Sequence, residues 1–227
     1  MRTIFKLLAA LFTLSILQAQ ESAPKVGFIR IVNAVAPGEG NTQILVDGEV
    51  LYPKGYKLGQ RTGGIGLPPG SRRVTVRKDG VEEGSTTVNV VAGATTTLIA
   101  FAEKEETDDP EQPIIWKSKV LRLKQSDPER GYRLTVVSVC ALPNVNFNVA
   151  TEARKAYEER SVKRFNTQTV DLGSSRGDVV VRLRGEKNPI CKMSPDQAGN
   201  YVAVFYDDPD GKVKALTFYD PKFVIAG

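Results

Sequence analysis

Phe28-Ile29-Arg30-Ile31-Val32 and, further on, Thr95-Thr96-Thr97-Leu98-Ile99-Ala100-Phe101 decide how this chain is read. Both runs are rich in β-branched and apolar residues and carry no Gly or Pro. Each is bounded by residues that favour turns, which is the signature of a short strand. The same texture recurs in Gln43-Ile44-Leu45-Val46, in Val74-Thr75-Val76-Arg77 and at 86–91 and 115–123. It resumes at 134–139, 145–149, 179–183, 201–206 and 213–219. The dominant period is two, so the chain is predicted to be all-β. Short strands at this spacing, separated by turn signals, suggest a sandwich or a barrel.

Turn chemistry agrees with the strand spacing. Val46-Asp47-Gly48-Glu49 carries the Asp-Gly pair of a tight hairpin. Leu67-Pro68-Pro69-Gly70 sets Pro where φ is negative and Gly where it is free to be positive. Lys78-Asp79-Gly80 and Asp207-Asp208-Pro209-Asp210-Gly211 are predicted to close further hairpins.

Slid against itself so that Thr62 meets Thr167, the chain matches Leu67 with Leu172, Val74 with Val179, Val76 with Val181 and Gly80 with Gly185. With a small gap, Ile29-Arg30-Ile31-Val32 falls near Thr135-Val136-Val137-Ser138, and Ala100-Phe101 falls on Val204-Phe205. Each copy ends in a strand, an acidic loop (103–113 and 207–211) and a final strand. The order of features predicts two homologous domains, at 24–123 and 131–227, divided in the polar segment Lys124-Gln125-Ser126-Asp127-Pro128-Glu129-Arg130. One large sandwich with two similar halves is the alternative.

The first residues set the compartment. Arg2 and Lys6 precede an apolar stretch at 7–17, and Ala19 offers a small residue before Gln20. That is the pattern of a signal peptide at 1–19 with cleavage between Ala19 and Gln20, so the protein is expected to be periplasmic or secreted. The apolar stretch is about half the ~20 residues a membrane helix needs, so no transmembrane segment is expected in the mature chain. The net charge of +5 is spread in alternating sign. Such a mixed surface, in an exported chain, argues against a nucleic-acid partner.

Composition excludes more chemistry than it suggests. The chain has no histidine, which removes the usual general base near neutral pH and every imidazole triad or histidine-ligated metal site. Only two cysteines are present, too few for a structural zinc site. In an oxidising compartment, Cys140 and Cys191 are expected to pair as a disulfide. Such a bridge is worth roughly 4 kcal/mol in the chain-entropy model. Two separate buried thiols are the alternative.

Other features have a plain reading beside a sharp one. The acidic runs at 103–111 and at Asp207, Asp208 and Asp210 could hold calcium, but they lack the alternating ligand spacing of a calcium loop. Gly63, Gly64, Gly66 and Gly70 precede no helix, so they imply turns and not a phosphate cradle. Arg72, Arg73, Arg77 and Lys78, with Arg182 and Arg184, read as a basic face for an anionic polymer or as solvated strand positions. The stretch 151–163 has helical composition, with Glu and Arg or Lys three and four apart, and is read as a charged loop with one or two helical turns. No catalytic, cofactor or metal residues are assigned.

Two family resemblances bear on the class. Ile29-Arg30-Ile31-Val32-Asn33-Ala34, Leu45-Val46-Asp47-Gly48-Glu49, the run from Leu67 to Arg77 and the run from Val90 to Ala100 make the first domain resemble the DUF4397 family of exported bacterial domains. That resemblance implies an immunoglobulin-like β-sandwich without assigned activity, and hence two tandem immunoglobulin-like β-sandwich domains after a signal peptide. The second domain departs from the pattern, with Ala150-Thr151 in place of Asp-Gly and Gly173-Ser174-Ser175 in place of Pro-Pro-Gly. The layout is also similar to the alginate O-acetylation accessory protein F family, which implies a periplasmic adaptor in exopolysaccharide O-acetylation.

The function expected from these readings is non-enzymatic. The protein is expected to present its β-sandwich surfaces to an envelope protein or a polysaccharide. A carboxylate-based hydrolase is the enzymatic alternative, since two carboxylates suffice for glycosidic chemistry. It is disfavoured because the acidic residues cluster in hairpin loops and Trp116 is the single tryptophan available to line a sugar cleft.

Overall fold

The computed structural model describes residues 26–124, 131–152, 156–174 and 177–221. The expected signal peptide with Ala19 and Gln20, and the boundary segment beyond Lys124, lie outside the described residues. Those residues form sixteen strands and no helix. The first half holds β1 (Gly27–Ala34), β2 (Glu39–Val46), β3 (Glu49–Val50), β4 (Ile65–Leu67), β5 (Gly70–Asp79), β6 (Val81–Val90), β7 (Thr95–Glu106) and β8 (Ile114–Arg122). The second holds β9 (Tyr132–Ser138), β10 (Asn144–Thr151), β11 (Glu158–Lys163), β12 (Thr167–Gly173), β13 (Val179–Leu183), β14 (Cys191–Met193), β15 (Gly199–Asp207) and β16 (Val213–Tyr219).

The two halves repeat one pairing scheme. The second half has two four-stranded sheets, β11-β10-β13-β14 and β12-β9-β15-β16. The first half has the same neighbours, β3-β2-β5-β6 and β8-β7-β1-β4, joined into one eight-stranded sheet where Glu82 of β6 meets Lys117 of β8. Gly84 permits that join. A Cβ on it would lie 1.8 Å from the Ser118 carbonyl oxygen. The Asp47-Gly48 hairpin forms as its residues require, with φ of 51° and 89°, both in the left-handed region.

Besides the β6–β8 join, which is also parallel, each half has one long parallel pair: β1 with β7 and β9 with β15. Parallel strands occur where both faces are covered, and these four carry the nearly unbroken apolar runs of the sequence. Their alternate residues serve two different cores. Ile29 and Ile31 of β1, with Leu98 and Ala100 of β7, face inward against Ile44, Val74 and Val76 of the first half. Leu134, Val136, Tyr201, Ala203 and Phe205 face Val145, Phe147 and Val181 of the second. The opposite faces meet each other: Val32, Ile99 and Phe101 pack on Val137, Val202, Val204 and Phe218. This third core is a seam between the halves.

A buried ion pair crosses that seam. Arg30, 2% exposed, donates to the carboxylate of Asp220, 6% exposed. Thr97 Oγ1 also donates to Asp220, at 3.4 Å, and the guanidinium lies 5.4 Å from the Phe218 ring centroid. Burial and the Arg61 charge lower the Arg30 pKa to about 10, so it stays cationic at neutral pH.

Three expectations are corrected here. Cys140 and Cys191 are both free thiols. Cys140 follows β9 in the core of the second half, and Cys191 opens β14 against the same core, each occupying space there as a small apolar side chain. The charged stretch read as helical instead contributes β11, paired along β10 from Val149↔Glu158 to Asn144↔Lys163. Its Glu and Arg spacing suits a helix surface, but the edge of β10 offers a ladder and Val162 fills the core beneath it, so tertiary pairing overrides local preference. The acidic segment at 103–113 is half strand: β7 runs on to Glu106. There Lys119 pairs with Glu103 (3.4 Å) and with Glu105, and Lys117 pairs with Glu105 (3.3 Å).

Candidate functional site

The β-strands of the seam end in a cleft of about 570 Å³ that draws on both halves. One wall is the end of β7 and the start of β8, with Glu103, Lys104 and Trp116. The facing wall is the hairpin 207–211, and Arg164 closes one side. The floor is made of the small side chains Ala34, Ala36, Ala102 and Val139, with the exposed Ala141 beside them, which is why a depression remains there. The volume falls within the about 300–1,000 Å³ typical of small-ligand clefts.

Each wall is held from behind. Lys78 Nζ donates to the carbonyls of Val35 (2.9 Å) and Ala36 (3.2 Å), fixing the segment that leaves β1. Burial lowers the pKa of that amine. Gly38, at φ 84°, lies so close to the turn after β5 that a Cβ would meet the Asp79 carbonyl oxygen at 2.2 Å. In the facing hairpin, the Asp208 carboxylate accepts the N–H groups of Asp210 (3.0 Å) and Lys212 (2.9 Å). The Lys212 amide, first among these, holds the Asp208 carboxyl below its ordinary 3.8. Asp207 accepts the Ala141 N–H at 2.6 Å.

Arg164 and Phe165 are placed by an uncommon backbone. Phe165 has a φ of 60°, which is rare for a bulky residue and concentrates at functional positions. The Arg164 guanidinium lies over the Phe165 ring, 4.3 Å from its centroid. The Phe165 ring packs tilted against Phe101 across the seam, centroids 5.1 Å apart, and Arg164 also reaches Glu103 at 2.9 Å. Arg164 Nε is buried without a hydrogen-bond partner. On the opposite wall Lys104 Nζ lies 5.2 Å from the Trp116 ring centroid, and Trp116 remains 36% exposed.

No family model matches the chain, and no curated protein matches it. A solved structure titled the Bacillus anthracis TIE protein is similar over 81% of this chain, at 11% identity and a TM-score of 0.28. The chain spans about half the length of that structure, 50% of which is covered. A likeness this slight carries no argument, and the chemistry must be read from the residues themselves.

The residues singled out from sequence are mostly placed elsewhere. Burial raises both cysteine thiols to about 12, so neither is a nucleophile at neutral pH. The basic face is broken up by partners. Arg72 pairs with Asp47 at 3.2 Å, Arg73 with Ser85 Oγ at 3.1 Å, Arg77 with Glu83, and Arg184 with Glu159 at 3.1 Å. Arg182 stacks 4.4 Å from the Tyr157 ring centroid. Lys78 is turned inward to the cleft floor. Of the acidic runs, Glu103, Asp207 and Asp208 do converge, though from different halves. Sequence reading missed that convergence and missed Arg164. The φ at Phe165 leaves no trace in residue type.

Among the described residues no group of three or more acidic or cysteine side chains could hold a metal ion, and no helix is long and apolar enough to cross a membrane.

Proposed function

We propose that the protein is an exported, non-enzymatic binding module of two tandem immunoglobulin-like domains, at 24–123 and 131–227, that engages an envelope protein or polysaccharide through the cleft where the halves meet. The observation that carries this reading is the partly exposed Trp116 on the wall of a preformed cleft with a polar rim. Exposed aromatic and arginine side chains around a concave apolar floor are the usual anchors of recognition. The matched strand order of the two halves supports a tandem repeat. The held backbone of both walls supports binding to a preorganised site.

The arrangement suits holding better than turnover. A general acid at neutral pH needs a raised carboxyl pKa. Asp208 is moved the other way by its amide partners, and Glu103 is tied to Arg164 and Lys119. The test is capture from envelope extract on immobilised 20–227, with Trp116→Ala as the matched control. A defined protein or glycan retained by the natural sequence and lost from the variant supports the reading. Turnover of polysaccharide or ester substrates by the pure protein, abolished by changing Glu103 or Asp208, would overturn it.

A further inference from the structure

The cleft's rim carries charges of both signs in a small space. Glu103, Asp207 and Asp208 are acidic; Lys104 and Arg164 are basic. Most already have internal partners: Glu103 with Arg164, Asp207 with the Ala141 amide, Asp208 with two amides, and Lys104 with the indole face. Three ligand classes fit this badly. An anion meets three carboxylates. A cation meets a guanidinium and an ammonium. A wholly apolar ligand would strip water from five charged groups and offer no hydrogen bond in return.

We infer that the cleft takes a neutral glycan segment, with one sugar ring against Trp116 and its hydroxyls on the mixed-charge rim. This rests on the binding reading above and names the ligand class for the same cleft. A hydroxyl is at once donor and acceptor, so it can join a network of paired charges without displacing either member. The carboxylates keep free lone pairs for its hydrogen, and the buried Arg164 Nε lacks an acceptor for its own. The apolar face of a pyranose ring matches an indole that is partly exposed and already held at its own ring by Lys104. The alanine floor leaves room for a ring to sit deep, and Phe165's strained backbone fixes Arg164 where such a ring would pass.

Trp116 is the only tryptophan in the chain, so its emission reports on this cleft alone. The experiment titrates the mature protein with cellotetraose, maltotetraose and chitotetraose as neutral probes and with oligomannuronate as the acidic probe. Emission is followed for the natural sequence, and calorimetry for all variants. A saturable emission change with at least one neutral probe is expected, with no saturable response to oligomannuronate. Trp116→Ala should weaken neutral binding more than tenfold. Asp208→Asn should weaken it several-fold, and Tyr157→Ala, just before β11 and outside the cleft lining, should leave it unchanged. Circular dichroism and the thermal midpoint check that each variant is folded. Binding to the acidic probe alone, no binding to any probe, or neutral binding untouched by Trp116→Ala would each overturn the inference. If glycans fail but a defined envelope protein is captured in a Trp116-dependent way, only the ligand class falls. If both fail, the binding reading falls with it.

Discussion

Arg30 sits in the middle of an apolar run and appears in the sequence as one of the polar positions of an alternating strand. In the structure that alternate face is not solvent but the seam, and the guanidinium is tolerated because Asp220 and Phe218 come to it from the other half. Breaking such a pair costs more than the pair contributes, since one charge is left buried and unmatched. Asp220→Ala is therefore expected to lower stability by about 3–5 kcal/mol in urea or guanidinium unfolding, whereas the joint change Arg30→Met and Asp220→Leu should cost far less, within about 1 kcal/mol of neutral. The cysteines make a second residue-scale prediction. With both thiols free and raised to about 12 by burial, native protein should react with iodoacetamide at pH 8 far more slowly than denatured protein, which should take up two labels without prior reduction. Uptake of label only after reduction would restore the disulfide expected from compartment alone.

At the scale of elements, the strands that carry a full pattern were the legible ones. β1, β7, β9 and β15 are apolar on both faces, and β13 and β16 have the bounds expected from alternation. β16 is itself an edge strand, but the other edges, β3, β4, β11, β12 and β14, escaped reading because they are short or bury only one or two side chains. β3, β11, β12 and β14 also carry charged side chains, which help keep edges from pairing with other chains. β11 shows why composition misleads there: of Glu158–Lys163 only Val162 is buried. The join between β6 and β8 was equally hidden, since it depends on a missing side chain. Gly84→Ala would force a Cβ into the Ser118 carbonyl and is expected to cost about 1–3 kcal/mol or more. Gly63→Ala, with open space around it and an ordinary φ, should be neutral or slightly stabilising. Comparable midpoints for the two variants would remove Gly84 from its role in closing the sheet.

For the whole molecule, the seam makes two repeats behave as one. Val32, Phe101, Val137, Val204 and Phe218 form a core that neither half owns, so separating the halves exposes it. Calorimetry should record a single transition whose van't Hoff and calorimetric enthalpies agree. Val204→Asp should split it in two. The pH response follows from the charged groups. Asp47 lies below 3.8 through the Arg73 amide and then Arg72, Asp208 below 3.8 through its amides, and Glu105 below 4.5 through Lys119 and then Lys117. Each lowered carboxyl stabilises the fold fully above its unfolded value, and that stabilisation is lost as pH falls through the folded value. With no histidine to titrate, unfolding free energy should stay flat between about pH 5.5 and 8 and drop only below about pH 4.5. A step near pH 6.5 would contradict this. The cleft was the least legible feature at this scale, because Glu103, Arg164 and Asp208 become neighbours only when the two halves dock.

The parallel pairing of β1 with β7 also bears on how the chain comes to be folded. Phe28 meets Gly66 of β4 on one side but on the other lies opposite Thr95, so the first strand lacks its long parallel partner until nearly the whole first half has been synthesised, and Tyr132, beside Gly173, likewise waits for Gly199. Closing such long loops exacts its entropy before any contact repays it, which places folding among the slow, high-contact-order cases, in milliseconds to seconds. A polypeptide threaded N-terminus first through a narrow channel would for that reason arrive at the far side still extended, and would gain its cores only once β7 and then β15 had cleared it.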